Sequence, residues 1–157
     1  PLRAVAFDPT GELVAAAGDD GVVRVITLST GARRDMPGHD GPVAALAFTP
    51  RDGRLASGGD DGTVRLWYLV GDVECEVRGA DGTGHAGGVR ALLCLPTPPP
   101  QDDGKEAGDR LVSAGADGAI RVHRLEDRRK PRTLETSALP LHALALAPAE
   151  GAAARKG

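Results

Sequence analysis

Six residues draw attention first, because their types are those of nucleophilic catalysis. Ser57, His39 and Asp61 supply a hydroxyl, an imidazole and a carboxylate, and Ser113, His85 and Asp117 supply the same set again. A hydrolytic relay needs an exposed hydroxyl, a base to take its proton and donors for the oxyanion. Neither serine lies in a Gly-x-Ser-x-Gly elbow, the strained turn that lifts a hydroxyl out of a sheet. A hydrolase is therefore rejected, a structural role is left for both sets, and no catalytic residue is expected. Asp19-Asp20-Gly21 and Asp60-Asp61-Gly62 concentrate carboxylates as a calcium loop does. Calcium wants six or more oxygens, from acids at alternating positions closed by a Glu. Adjacent aspartates without that Glu read as hairpin turns, so neither a metal nor any other cofactor is expected. Gly79–Gly84 looks like a phosphate cradle but lacks the Gly-x-Gly-x-x-Gly spacing and a following helix. It reads as a flexible connection.

Charge narrows the partners. The 157 residues carry 19 Lys and Arg against 22 Asp and Glu, a net charge of -3. That balance lacks the broad basic field of a nucleic-acid binder. The basic cluster Arg128-Arg129-Lys130-Pro131-Arg132 adjoins Glu126 and Asp127 and has no interleaved aromatics to stack on bases. It reads as a solvated loop. No apolar run approaches the ~18 residues of a membrane helix, and no signal peptide is visible after Pro1. Neither nucleic acid nor membrane is expected as a partner. Cys75 and Cys94 match no zinc or redox spacing, which favours a reduced, cytoplasmic protein. Cys94 is expected in the core and Cys75 on an outer strand.

These side chains must be placed by short strands. Gly (22) and Pro (12) punctuate the chain, and with 3% aromatics the core must be built from Ala, Val and Leu. Internal repetition organises the rest. Phe7-Asp8-Pro9-Thr10-Gly11-Glu12-Leu13 returns as Phe48-Thr49-Pro50-Arg51-Asp52-Gly53-Arg54-Leu55, and Asp19-Asp20-Gly21-Val22-Val23-Arg24-Val25 as Asp60-Asp61-Gly62-Thr63-Val64-Arg65-Leu66. Pro9 to Pro50 and Asp20 to Asp61 both span 41 residues. A third copy, Ser113–Val122, follows after a Pro-led polar insertion within Pro96–Asp109. Each unit offers an alternating first strand (Leu2–Phe7, Val43–Phe48, Val89–Leu95), then a second (Leu13–Ala17, Leu55–Ser57, Leu111–Ala114). A third follows (Val22–Ile26, Thr63–Trp67, Ala119–His123). Asp-Gly between second and third predicts a type I′ hairpin, with positive φ at both central residues. More polar fourth strands fall near Ala32–Met36, Val73–Val77 and Arg132–Glu135, and Leu141–Ala147 begins a fourth unit.

Four-stranded units of this length resemble WD repeats. The middle unit carries the likeness in Gly38-His39, Leu55-Ala56-Ser57-Gly58 and Asp60-Asp61-Gly62-Thr63-Val64-Arg65-Leu66-Trp67. Tyr68 stands where the family has Asp after the Trp, the first unit ends its third strand in Ile26, and the third ends in His123. The resemblance implies an all-β fold, an incomplete β-propeller of four-stranded antiparallel blades. Blade 1 covers about 1–36, blade 2 about 37–78 and blade 3 about 84–135; a fourth begins at about 139–151, and 152–157 form a tail or the next strand. It also implies a hydrogen-bonded chain through His39, Ser57, Asp61 and Trp67, which in the third unit keeps His85, Ser113 and Asp117. In the first unit only Asp20 remains, with Ala16 in the serine's place.

What such a fold does follows from its shape. Propellers close with 4–8 blades, so the chain is expected to be part of a longer polypeptide, a non-catalytic scaffold for other proteins. The rival expectation is a regulatory or substrate-recruiting propeller attached to an enzyme domain. The resemblance puts the loops that bind partners on one face, here Asp19, Asp40, Pro42, Asp60, Asp81, Thr83 and Ala116. The acids among them suggest a basic partner surface, and the Pro96–Asp109 insertion falls on the opposite face. Bare packing faces on the end blades would be covered by further blades or by self-association.

Overall fold

In the computed structural model, residues 1–51, 53–69, 74–78, 83–95, 109–125, 131–137 and 139–145 are described. They form twelve strands in three sheets. The first sheet is β1 (Leu2–Phe7), β2 (Leu13–Gly18), β3 (Val22–Thr27) and β4 (Arg33–Pro37); the second is β5 (Val43–Phe48), β6 (Leu55–Gly59), β7 (Val64–Tyr68) and β8 (Glu74–Arg78). The third is β9 (Val89–Leu95), β10 (Arg110–Gly115), β11 (Ala119–Arg124) and β12 (Arg132–Thr136). Every sheet is an antiparallel meander in sequence order. β1 lies beside β5 and β5 beside β9, so the first strands form the inner edge of three stacked blades. This is an incomplete β-propeller.

The blades are held face to face. Ala15, Ala17, Val23, Val25 and Met36 of blade 1 bury against Val43, Phe48, Leu55 and Trp67 of blade 2. Ala56, Val64 and Leu66 on the other face of blade 2 bury against Val89, Leu111 and Leu125 of blade 3. Alternation along β6 explains the division: Leu55 points back to blade 1 and Ala56 forward to blade 3. Cys94 is half-buried against the second core, and Cys75 is exposed on β8. Blade 1 shows what a missing neighbour does. Leu2, Val5, Phe7 and Leu28 are exposed, whereas Val43, Leu46, Phe48 and Leu69, each 41 positions on, belong to the first core.

Four details depart from the expectations. The turns between second and third strands are not type I′: among the described residues no non-Gly residue has positive φ, while Gly21, Gly62 and Gly118 have φ of 72, 78 and 72°. Gly21 N–H bonds Gly18 O, Gly62 bonds Gly59 O and Gly118 bonds Gly115 O. Each is a tight turn over two right-handed residues, closed by a left-handed glycine that forms the bulge of a three-residue hairpin. The first turns of blades 1 and 2 also differ from the sequence alignment. Phe7 pairs with Val14 and Phe48 with Leu55, so Arg54 takes the place of Leu13 and the turn glycine moves by one. β7 begins at Val64 rather than Thr63, which bonds Asp61 in the turn with its N–H (2.9 Å) and hydroxyl (2.8 Å). Leu141–Ala145 forms no strand; an innermost strand takes its ladder from the second strand of its own blade, and no described residue supplies one. The Pro96–Gly108 part of the insertion, Gly79–Gly82, Glu126–Lys130 and the tail lie outside the described residues.

The left-handed glycines also lie against neighbouring chain. A Cβ on Gly62 would come within 2.2 Å of His85 O, whereas Gly11 (φ 74°) has nothing within 4 Å. Gly11→Ala should therefore cost about 1 kcal/mol, the left-handed penalty alone. Gly62→Ala should cost on the order of 3 kcal/mol, because clash adds to strain. Urea titration of both variants separates the two contributions; equal losses would mean that the blade 2–blade 3 approach is loose.

Candidate functional site: the buried networks and the charged rim

The second blade brings His39, Ser57, Asp61 and Trp67 into one chain. Trp67 Nε1–H donates to Ser57 Oγ (2.8 Å), and Ser57 Oγ lies 2.7 Å from His39 Nε2. His39 Nδ1 lies 2.9 Å from Asp61 Oδ2, which also accepts the Asp40 N–H (3.1 Å). Direction follows from the ends. Trp N–H can only donate and an ionised carboxylate can only accept. Neutral His39 thus carries its proton on Nδ1 and takes the Ser57 hydroxyl proton at Nε2. Burial lowers the His39 pKa, against the opposing pull of Asp61. Burial pushes the Asp61 carboxyl up, but the Thr63 N–H and hydroxyl and His39 more than offset it, leaving it lowered.

Glycine makes room for the ring. A Cβ at Gly59 would sit 2.5 Å from His39 Nδ1, and one at Gly115 would sit 2.2 Å from His85 Nδ1. The glycine recurs in every copy as Gly18, Gly59 and Gly115. That recurrence was the available sign of the close approach, and composition alone did not reveal it.

The third blade assembles His85, Ser113 and Asp117 in the same way. His85 Nε2 lies 2.7 Å from Ser113 Oγ and Nδ1 lies 2.8 Å from Asp117 Oδ1. His123 Nε2 stands 2.9 Å from Ser113 Oγ, where the second blade has the indole. The Ala86 and Ala119 N–H groups also bond Asp117. Burial raises the Asp117 pKa, but His85, Ala119 N–H and Arg121 outweigh this and hold it at about 2. In blade 1, Asp20 bonds Val22 N–H (3.2 Å) and Arg24 instead.

None of this is arranged for attack on a substrate. Ser57 and Ser113 are fully buried, and each hydroxyl is enclosed by an imidazole and a second ring nitrogen. The Asp-Asp-Gly carboxylates are spent on turn N–H groups and arginines rather than converging on a shared cation. What the networks do is pin the second and third strands of blades 2 and 3 to the loop that enters each.

The surface end of the networks is a charged rim. Asp19 N–H bonds Pro1 O (3.0 Å), Asp60 N–H bonds Pro42 O (2.8 Å) and Ala116 N–H bonds Gly88 O (3.0 Å), so equivalent corners of three blades lie at one end. Asp40 and Thr83 sit on the loops entering blades 2 and 3 beside His39 and His85; Asp81 lies outside the described residues. The acids do not stand alone there. Each first strand carries a one-residue bulge, at Arg3, Ala44 and Arg90. Bulges re-aim a side chain, and Arg3 reaches Asp19 and lies 4.0 Å from Asp60, while Arg90 reaches Asp60 at 2.5 Å. The rim carries both signs of charge, with arginines standing among the acids of the turns. Counting turn residues missed the arginines because they belong to strands.

At the opposite end, Arg54 is buried where blade 1 has Leu13. Its Nη1 donates to Leu125 O (3.1 Å), and its guanidinium lies over the Tyr68 ring, 5.6 Å from the centroid. Asp109, 4% exposed, stands 3.8 Å from Arg51 Nε. This polar junction joins blades 2 and 3, and its only mark in the sequence is an arginine at an apolar repeat position.

A family model for WD40, described as WD domain, G-beta repeat, matches residues 1–27 and 32–68. Comparison with curated proteins gives no match.

Two outcomes test the networks. Trp67→Ala should cost about 3–5 kcal/mol of stability, and Ser57→Ala about 1–3 kcal/mol, since it strands the indole N–H and an imidazole nitrogen. A neutral Trp67→Ala in chemical denaturation would show that the indole is not buried between blades. Acidification should also destabilise the fold in two stages. The folded His39 and His85 pKa values lie below the ordinary 6.5, so the unfolded chain binds protons first and stability declines as pH drops under about 6.5. Asp61 and Asp117 lie below 3.8, so their stabilisation is lost as pH falls beyond that value towards their folded pKa values. A melting temperature that rose on going from pH 7 to pH 5 would refute the neutral, buried imidazoles.

Proposed function

The chain belongs to the WD-repeat family, and from that premise we propose that it is a non-catalytic platform on which other proteins assemble. One observation supports the reading above the rest: charged side chains from three separate blades share one rim. Arg3 of blade 1 lies within reach of Asp19 and Asp60, and Arg90 of blade 3 holds Asp60 of blade 2. The buried networks fix the loops behind that rim, so its charges are presented without much conformational loss on binding. A partner that fits it offers both signs of charge, since a purely basic surface would have to compete with Arg3 and Arg90 for the same carboxylates. Asp40 and Thr83 flank the row, and Pro42 and Ala116 line its corners.

The test is a comparison of two double variants. Asp19→Asn with Asp60→Asn removes the rim charges and keeps the side-chain shapes. Arg110→Ala with Arg124→Ala changes the far end, where the two residues are cross-strand partners. For a partner identified by crosslinking to the full-length protein, the rim variant should lose about tenfold or more in affinity, the equivalent of about 1.4 kcal/mol. The far-end variant should be unchanged. Association with the wild type should slow as salt rises. Loss in the far-end variant alone would move the binding surface to the other face.

A further inference from the structure

We infer that the third blade contains a two-state proton relay where the second contains a one-way chain. In the second blade every proton has one place, because Trp67 can only donate and Asp61 can only accept. The third blade differs at both ends. Where the indole stood, His123 Nε2 lies 2.9 Å from Ser113 Oγ, and an imidazole nitrogen can give or take a proton. At the other end, Arg121 Nη1 lies 2.6 Å from His85 Nδ1 and 2.8 Å from Asp117 Oδ2, while Asp117 Oδ1 lies 2.8 Å from the same Nδ1. The corresponding arginine of blade 2, Arg65, stands 3.9 Å from Asp61. His85 Nδ1 therefore faces two contradictory neighbours. A guanidinium needs a lone pair there and a carboxylate needs a proton.

Two arrangements satisfy the Ser113 hydroxyl, and they differ in where the His123 proton sits, on Nε2 in the first and on the buried Nδ1 in the second. In one, His85 Nδ1–H donates to Asp117, Ser113 O–H donates to His85 Nε2, and His123 Nε2–H donates to Ser113. In the other, Arg121 donates to His85 Nδ1, His85 Nε2–H donates to Ser113, and Ser113 O–H donates to His123 Nε2. Each imidazole keeps one proton throughout, moved between its two nitrogens by exchange with solvent, and the hydroxyl rotates. Net charge does not change. A Trp at position 123 would allow only the first arrangement.

The relay connects two depths of the blade. Arg121 stands at the rim turn with 16% of its side chain exposed, and His123 is 3% exposed between blades. An anion that draws Arg121 away from His85 selects the first arrangement, so the protons inside the blade respond to what Arg121 binds outside it.

Long-range 1H–15N correlation of the imidazole rings at neutral pH, on the full chain, reads the relay directly. His39 should show a single tautomer protonated on Nδ1. His85 and His123 should show intermediate nitrogen shifts, with populations of the two tautomers that agree between them. Arg121→Met should move His85 to the His39 pattern and fix the His123 proton on Nε2. Wild-type His85 with a single tautomer on either nitrogen would overturn the proposal, as would an Arg121→Met spectrum identical to wild type. Should the variant not fold, the wild-type spectrum decides alone.

Discussion

A four-stranded sheet that is apolar on both faces cannot be stable by itself. Everything else in this chain depends on how that constraint is met, by stacking each blade's forward face on the next blade's backward face. The pairing is complementary in size. Small side chains such as Ala15, Ala17 and Val23 look forward, and Phe48, Leu55 and Trp67 look back into them. With few aromatics available, Trp67 and Phe48 are spent at one interface, and the second is closed by Leu66, Leu111 and Leu125. Phe7 and Phe48 occupy the same register, yet one is 63% exposed and the other 8%. The neighbour, not the residue, decides which is core.

Polar groups then give the stacked blades a unique geometry. Dispersion between Ala, Val and Leu tolerates sliding, whereas a hydroxyl trapped between two ring nitrogens does not. The second blade is held by a chain with a donor-only head and an acceptor-only tail. The third is held by the same imidazole, hydroxyl and carboxylate with a different head. The first has a turn carboxylate and arginine only. Three copies of one backbone thus carry three different degrees of polar locking, and the rim sits directly above them.

The repeat and its periodicity made most of the fold legible. The first strand of all three blades is found at the expected residues, because the repeat sets a short, mostly apolar run at the same place in each copy. His39, Ser57, Asp61 and Trp67 were legible only by resemblance, since nothing in their spacing of 18, 4 and 6 residues implies contact. The hairpins were misread in type because Asp-Gly suits both a two-residue turn and a three-residue turn with a bulge. Only the φ of the aspartate separates them. Arg3 and Arg90 were invisible as rim residues, because a bulge changes which way a strand residue points and leaves no mark in composition. Leu141–Ala145 has the pattern of a strand but no partner strand among the described residues.

The closing glycine of each Asp-Gly turn has a consequence for the order in which the chain becomes fixed. Gly21 lies under His39 O, Gly62 accepts the His85 N–H, and Gly118 accepts the Ser137 N–H. The second and third hairpins are therefore finished by backbone that a ribosome delivers about twenty residues later. A newly made blade can pair its own strands at once, but its turn stays half-satisfied until the following loop emerges and settles over it. Assembly acquires a direction, like stitches each tied off by the next, and the chain locks from its N-terminal end forward.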